Sequence, residues 1–172
     1  DFQLYVQKIL DISIVKKLTI EELLIQKFDE TYTVAESLKN LIAKIGENIV
    51  IRRLVYLINE DSKSIFGFYI HNKINNKLGK MACIVSLTTT DINEKVTNIA
   101  NKIAMHITAA KPLAINEILL NPDLISNEKE IYQAQLKESG KPDNIIEKIV
   151  EGKIKKYLSD VTLLNQNWVL DP

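Results

Sequence analysis

Apolar residues in the first quarter of the chain recur at helical spacing, and then the period changes. Phe2, Val6, Ile9, Leu10 and Ile14 share one face, which predicts a helix from residue 2 to about 14. Thr19-Ile20-Glu21-Glu22-Leu23-Leu24 opens a short second helix that Thr19 can cap and Glu22 can answer. Thr33-x-x-Glu36 repeats that spacing ahead of Leu38, Leu41, Ile42 and Ile45, a third helix with one apolar stripe. Gly46 ends it, because a residue without Cβ takes the positive φ that closes a helix. From residue 48 to 58 the run turns β-branched. Ile49, Ile51, Val55 and Leu57 share one parity; Val50, Leu54, Tyr56 and Ile58 share the other. Apolar residues on both faces predict a central or doubly covered strand. Asn59-Glu60-Asp61-Ser62 reads as a turn, and alternation resumes over residues 64–71 and, after a polar loop, over 80–87. Strands joined so closely predict an antiparallel meander.

The second half reads as helical. Asp91-x-x-Glu94 is read as the cap of a long helix whose stripe is Ile92, Val96, Ile99, Ala100, Ile103, Ala104 and Ile107. That stripe suits one face of the sheet, and Lys111-Pro112 ends the helix. Asn121-Pro122-Asp123 reads as a turn before a short helix over about 127–137. Gly140-Lys141-Pro142 breaks the chain, with Pro142 at the first position of a helix that runs to about residue 158. These two helices make a hairpin whose apolar surface needs a partner. The tail turns extended and apolar at Leu163, Leu164, Trp168, Val169 and Leu170. The fold class expected is α+β: helices, then a three-stranded antiparallel sheet packed on a long helix, with a protruding helical hairpin. The stripes of 2–14 and 96–107 echo one another. If the domain is a pseudo-repeat, the sheet of the first copy lies upstream of Asp1.

Composition narrows the function. A chain of 172 residues holds one domain or two small ones and can bury a core without metal or disulfide. With 22 acidic and 22 basic residues it lacks the cationic excess of a non-specific nucleic-acid binder. Cys83 is the single cysteine, so no intrachain disulfide forms, which suits a reducing compartment. No apolar run is long enough to span a bilayer, so no membrane partner is expected. The N-terminus has no basic n-region and no starting Met, as expected of a processed chain or a fragment.

Candidate chemistry is sparse. His71 and His106 have no ligand partner at zinc spacing. Cys83 can be drawn with either histidine as nucleophile and base, but it lies in an alternating apolar strand, where a buried structural thiol is the expectation. No G-x-S-x-G, phosphate loop or G-x-G-x-x-G occurs. Lys153-Ile154-Lys155-Lys156 reads as a solvated helix face near a C-terminus. Arg52-Arg53 either binds a partner's carboxylates, or one packs its stem over the sheet while the other caps helix carbonyls. Trp168 is either core or an interface anchor. No catalytic residue, metal or cofactor is expected, and the residues alone describe a protein-binding module rather than an enzyme.

Several segments, in order, resemble the translation elongation factor Ts family. They are Ile45-Gly46-Glu47-Asn48-Ile49 with Arg52-Arg53, Tyr69-x-His71, Leu78-Gly79-Lys80, Ile103-Ala104-Met105-His106-Ile107 and Lys111-Pro112. Ser139-Gly140-Lys141-Pro142, the run 146–153 and Gln166-x-x-Val169 ending in Asp171-Pro172 complete the set. The resemblance implies a guanine-nucleotide exchange factor that binds elongation factor Tu and promotes GDP release by disturbing its magnesium and phosphate site. It implies partner contacts at Ile45, Gly46, Glu47 and Asn48, at His71, and at Trp168, Val169 and Leu170. It implies a dimerisation or coiled-coil module over about 116–163, hence a possible homodimer. It divides the chain into 1–48 and 49–115 of two core subdomains, 116–163, and a returning tail 164–172. A cytoplasmic protein is expected, with the mitochondrial matrix as the alternative. The sequence departs from the family in places. The Thr-Asp-Phe-Val motif, expected just upstream of Asp1, is not within these 172 residues. Met81-Ala82 stands where the family often has Ile-Gly, and Gln166-Asn167-Trp168 where it often has Gln-Pro-Phe. The expectation is a chain with part of the exchange activity; the alternative is a dimerisation and docking fragment with none.

Overall fold

The computed structural model describes residues 1–58, 63–138, 140 and 142–169. The turn read at 59–62 and the site residue Leu170 lie outside them. The elements are α1 (Phe2–Lys16), α2 (Ile20–Leu24), α3 (Val34–Ile45), β1 (Ser64–Lys73), β2 (Gly79–Thr88), α4 (Glu94–Ala110), a 3-10 turn (Glu117–Leu119), α5 (Pro122–Lys137) and α6 (Asp143–Val161). The fold is α+β. It divides into two compact units, Asp1–Ser64 with Ile70–Ala82, and Ile65–Tyr69 with the chain from Cys83 onward.

In the first unit α1, α2 and α3 close on Tyr5, Ile9, Leu18, Leu23, Val34 and Leu41. Both expected capping boxes form. The Thr19 hydroxyl accepts from Glu22 N–H while the Glu22 carboxylate accepts from Thr19 N–H, and Thr33 and Glu36 do the same. Each box satisfies two backbone donors that a helix start leaves open. Tyr5 stacks on Phe28 at 5.1 Å, and its hydroxyl donates to Val34 O at 3.0 Å.

The strand expected over residues 48–58 does not form. The sheet has two strands, β1 and β2, and no ladder reaches this segment among the described residues. Ile49, Ile51 and Leu54 instead pack on the helical core, while Val50, Val55 and Leu57 stay exposed. Alternating apolar residues let a chain lie flat on an apolar surface. A strand also needs a neighbouring edge for its N–H and C=O groups. The Tyr56 hydroxyl anchors the far end of the segment, within reach of the Ser13 and Leu18 carbonyls at 3.2 and 3.1 Å.

The hairpin loop closes through Ile74 N–H on Leu78 O at 2.8 Å, and Asn75 Oδ1 accepts from Lys77 and Leu78 N–H. Lys77 Nζ lies 2.8 Å from the Asp11 carboxylate of α1. This loop half belongs to the first unit and the base of the hairpin to the second.

In the second unit α4 packs on the base of the hairpin through Ala100, while Ile92 and Ile99 of the expected stripe are exposed. A Cβ at Gly67 would lie 2.2 Å from the carbonyl carbon of Ala100, so the strand rests directly on the helix backbone. Phe68 N–H donates to Asn101 Oδ1 at 2.9 Å across the same contact. The cap of α4 is Asn93, not Asp91. Asn93 Oδ1 accepts from Val96 N–H at 3.1 Å, while Asp91 N–H is spent on Thr89 Oγ1. Lys111 takes φ 49°, leaving the helix just before Pro112.

Helix α5 starts earlier than the sequence spacing suggests. Asn121 Oδ1 accepts from Asp123 N–H, and Pro122 has no donor to lose, so the expected turn is a helix start. Pro142 is the cap residue of α6 rather than its first helical residue. Helices α5 and α6 pack together as the expected hairpin, burying Ile146 and Val150. Beyond α6, Ala114 and Thr162 form a parallel bridge, flanked by Leu163 N–H on Ala114 O and Leu164 N–H on Ile115 O.

Gly67→Ala must push α4 from the strand and is expected to cost about 1–3 kcal/mol. Gly46→Ala, at φ 78° with nothing within 4 Å of the added Cβ, is expected to cost about 1 kcal/mol. Urea melts of both variants check the order, and an equal or reversed loss refutes the close packing. Burial pushes the Tyr5 hydroxyl from 10.0 up to about 12. A phenol protonated more tightly in the fold stabilises it fully below the unfolded value. That stability is lost as pH rises from about 10 through about 12. The pH dependence of unfolding over that window should be shallower in Tyr5→Phe; identical slopes would refute the assignment.

Candidate functional site

Helix α3 ends in an open corner. Gly46 takes φ 78° and ψ 12°, and its N–H donates to Ile42 O at 2.8 Å, so one residue turns the chain and satisfies a helix carbonyl. Ile45 is 37 % exposed, and Glu47 and Asn48 are exposed beside it. Among the described residues, its chain neighbours aside, nothing lies within 4 Å of a Cβ added at Gly46. A partner can therefore approach the backbone closely here. Lys44 and Asp1 pair at 2.6 Å on the exposed flank.

Arg52 and Arg53 are exposed, and neither makes an ion pair or a side-chain hydrogen bond among the described residues. They line a shallow groove with Phe2, Val6 and Leu10 of α1. Among the described residues neither caps a helix, and no strand runs beneath them. His71 lies on the loop half of β1, half-buried, in the same unit as the corner.

Trp168 and Val169 belong to the other unit, where a residue without an assigned role seats them. His106 is 1 % exposed. Its ring stacks on Trp168 with centroids 5.0 Å apart and planes 19° apart. Val169 N–H donates to its Nδ1 at 3.2 Å, and its Nε2 lies 3.3 Å from Gln166 Oε1. Trp168 is thus partly buried on one face, while Val169 keeps an exposed side chain. Little in the local residue pattern signals this contact. His106 sits seven residues after Ile99, on a helical stripe, but its partners are some sixty residues away.

Cys83 is half-buried rather than fully buried, and burial raises its thiol above the usual range. Among the described residues no group of three or more His, Cys, Asp or Glu is placed to hold a metal ion. No described helix is long and apolar enough to cross a membrane.

The sequence matches the family model described as Elongation factor TS over residues 1–172. The chain belongs to the elongation factor Ts family. It is similar to Elongation factor Ts of Allorhizobium ampelinum, 40% identical over 140 residues, covering 81% of this chain and 45% of that protein. It is 41% identical to Elongation factor Ts of Bartonella bacilliformis over 140 residues, with the same coverage. Against Elongation factor Ts of Rickettsia massiliae it is 37% identical over 172 residues, 99% of this chain and 55% of that protein. The chain spans about half the length of the curated relatives it matches. This elongation factor Ts chain carries a tail segment, residues 166–169, that is seated on His106.

A raised thiol is mostly protonated at neutral pH, so Cys83 should react with iodoacetamide several-fold more slowly in the native chain than in urea. A native rate matching the unfolded rate would show a solvated thiolate instead.

Proposed function

We propose that this chain acts in translation elongation as a guanine-nucleotide exchange factor that docks on elongation factor Tu and promotes GDP release. The observation that carries the reading beyond family membership is the Gly46 corner, an exposed turn with open space over its backbone. In this reading Ile45, Gly46, Glu47 and Asn48 meet the GTPase, His71 forms a second contact, and Trp168, Val169 and Leu170 a third. Exchange needs no covalent chemistry, so the chain is not an enzyme in the usual sense. A partner that binds the nucleotide-free GTPase more tightly must weaken nucleotide binding by the same factor. Disturbing the magnesium and phosphate site is the physical route to that difference. The protein works in the cytoplasm. Its division into 1–48, 49–115, 116–163 and 164–172 separates core subdomains, a hairpin and a tail.

Exchange by these 172 residues alone is proposed to be slow, because the segment matching the family's Thr-Asp-Phe-Val is not among them. A second reading, a docking and dimerisation fragment without exchange, draws on the hairpin. Leu124 and Ile131 of α5 and Ile145 of α6 are exposed apolar residues that a second copy could cover.

Release of a fluorescent GDP from elongation factor Tu tests both. The proposed function predicts measurable acceleration by the chain. Gly46→Asn keeps a residue that tolerates positive φ but adds a side chain, so it should bind about tenfold more weakly with little change in melting temperature. Association without any acceleration selects the second reading. Absence of association at micromolar concentrations refutes both.

A further inference from the structure

Helices α4 and α6 each end with carbonyls that have no partner within the helix. The Gln166 carboxamide serves both ends. Its Nε2 donates to Ala110 O at 3.2 Å and to Asp160 O at 2.7 Å. Both acceptors are carbonyls, so the amide nitrogen must face them and Oε1 must face His106. An oxygen without a proton requires a donor, so His106 Nε2 carries the hydrogen. Its Nδ1 is then bare and accepts Val169 N–H at 3.2 Å. One side-chain orientation thus fixes the imidazole tautomer, and the tautomer fixes the backbone at Val169. The imidazole face is left to Trp168, stacked at 5.0 Å. With His106 1 % exposed, little water can reach the ring to replace these bonds.

We propose that His106 is a positioning residue: as the Nε2–H tautomer it holds residues 166–169 in one conformation, presenting Trp168 and Val169 to the partner already ordered. This deepens the reading above and rests on Trp168 and Val169 contacting elongation factor Tu. A flexible segment binds more weakly in proportion to the fraction of time it spends in the competent conformation. A ring that removes that disorder before the encounter raises affinity without touching the partner.

The test compares variants of the 172-residue chain for binding to nucleotide-free elongation factor Tu. Trp168 is the only tryptophan, so iodide quenching of its emission reports the seating of the segment. His106→Phe keeps a flat ring for Trp168 but offers Val169 no acceptor. It should bind about tenfold more weakly and quench more readily. His106→Asn keeps an acceptor near the position of Nδ1 and should recover about threefold of that loss. A role confined to filling the interior reverses the order, since Phe fills the site and Asn leaves a void, and that result would overturn the proposal. Trp168→Ala separates the two levels. If it binds as the unaltered chain does, Trp168 is not a contact, and the tail contact and the positioning role fail together while docking through the Gly46 corner stands. If it binds more weakly while His106→Phe does not, only the positioning role fails. Nitrogen NMR of the unaltered chain needs no variant to fold. A protonated Nε2 with a bare Nδ1 on His106 supports the proposal, and a proton on Nδ1 overturns it.

Discussion

Every α-helix ends with carbonyls that it cannot satisfy, and the surfaces of interest in this protein are the devices that satisfy them. Gly46 closes α3 by donating its N–H to Ile42 O, and the positive φ this needs turns the chain outward. Lys111 closes α4 in the left-handed region, donating to Ile107 O. Gln166 then reaches carbonyls at the ends of both α4 and α6. The first device makes the open corner. The last one sets the orientation of a buried histidine, and through it the segment that carries Trp168. Without these closures, buried or half-buried carbonyls would stand unpaired at about 1–3 kcal/mol each.

Close packing supports these closures within each unit. In the second unit, Gly67 lets the β1 backbone rest on Ala100, with Ala100 and Ala104 fully buried. That fixes α4, the helix that carries His106. In the first unit, Tyr5 joins α1 to the start of α3 through Val34 O, and the side chains of Ile49, Ile51 and Leu54 cover the helical core. The corner at Gly46 is therefore the turn between a packed helix and a packed extended segment. It stays open because its neighbours are held elsewhere.

Features encoded within three or four residues could be read directly. Thr19 with Glu22 and Thr33 with Glu36 form their boxes because both partners lie in the same helical turn. Gly46 was legible for the same reason. Near misses were equally local: Asn93 was preferred over Asp91, and Asn121-Pro122 opened a helix where a turn was expected. The strand read over 48–58 is a different kind of difference. Its alternating residues do meet apolar surface, but that surface is a set of helices rather than a sheet edge. Alternation did not even sort the side chains here: Ile49 and Ile51 pack while Val55 and Leu57 of the same parity are exposed, and Leu54 of the other parity packs. Nor does it report what the backbone will find beside it.

The sequence by itself determined the α+β class, the capping boxes of α2 and α3, the α5–α6 hairpin, the glycine corner and the family. Each rests on local geometry or on ordered motifs along the chain. Tertiary structure alone decided that the sheet has two strands among the described residues, that Arg52 and Arg53 face solvent, and that His106 is buried under Trp168. The physical reason is distance along the chain. His106 meets Gln166 and Val169 across 60 and 63 residues, and no periodicity records a hydrogen bond that only folding brings within reach.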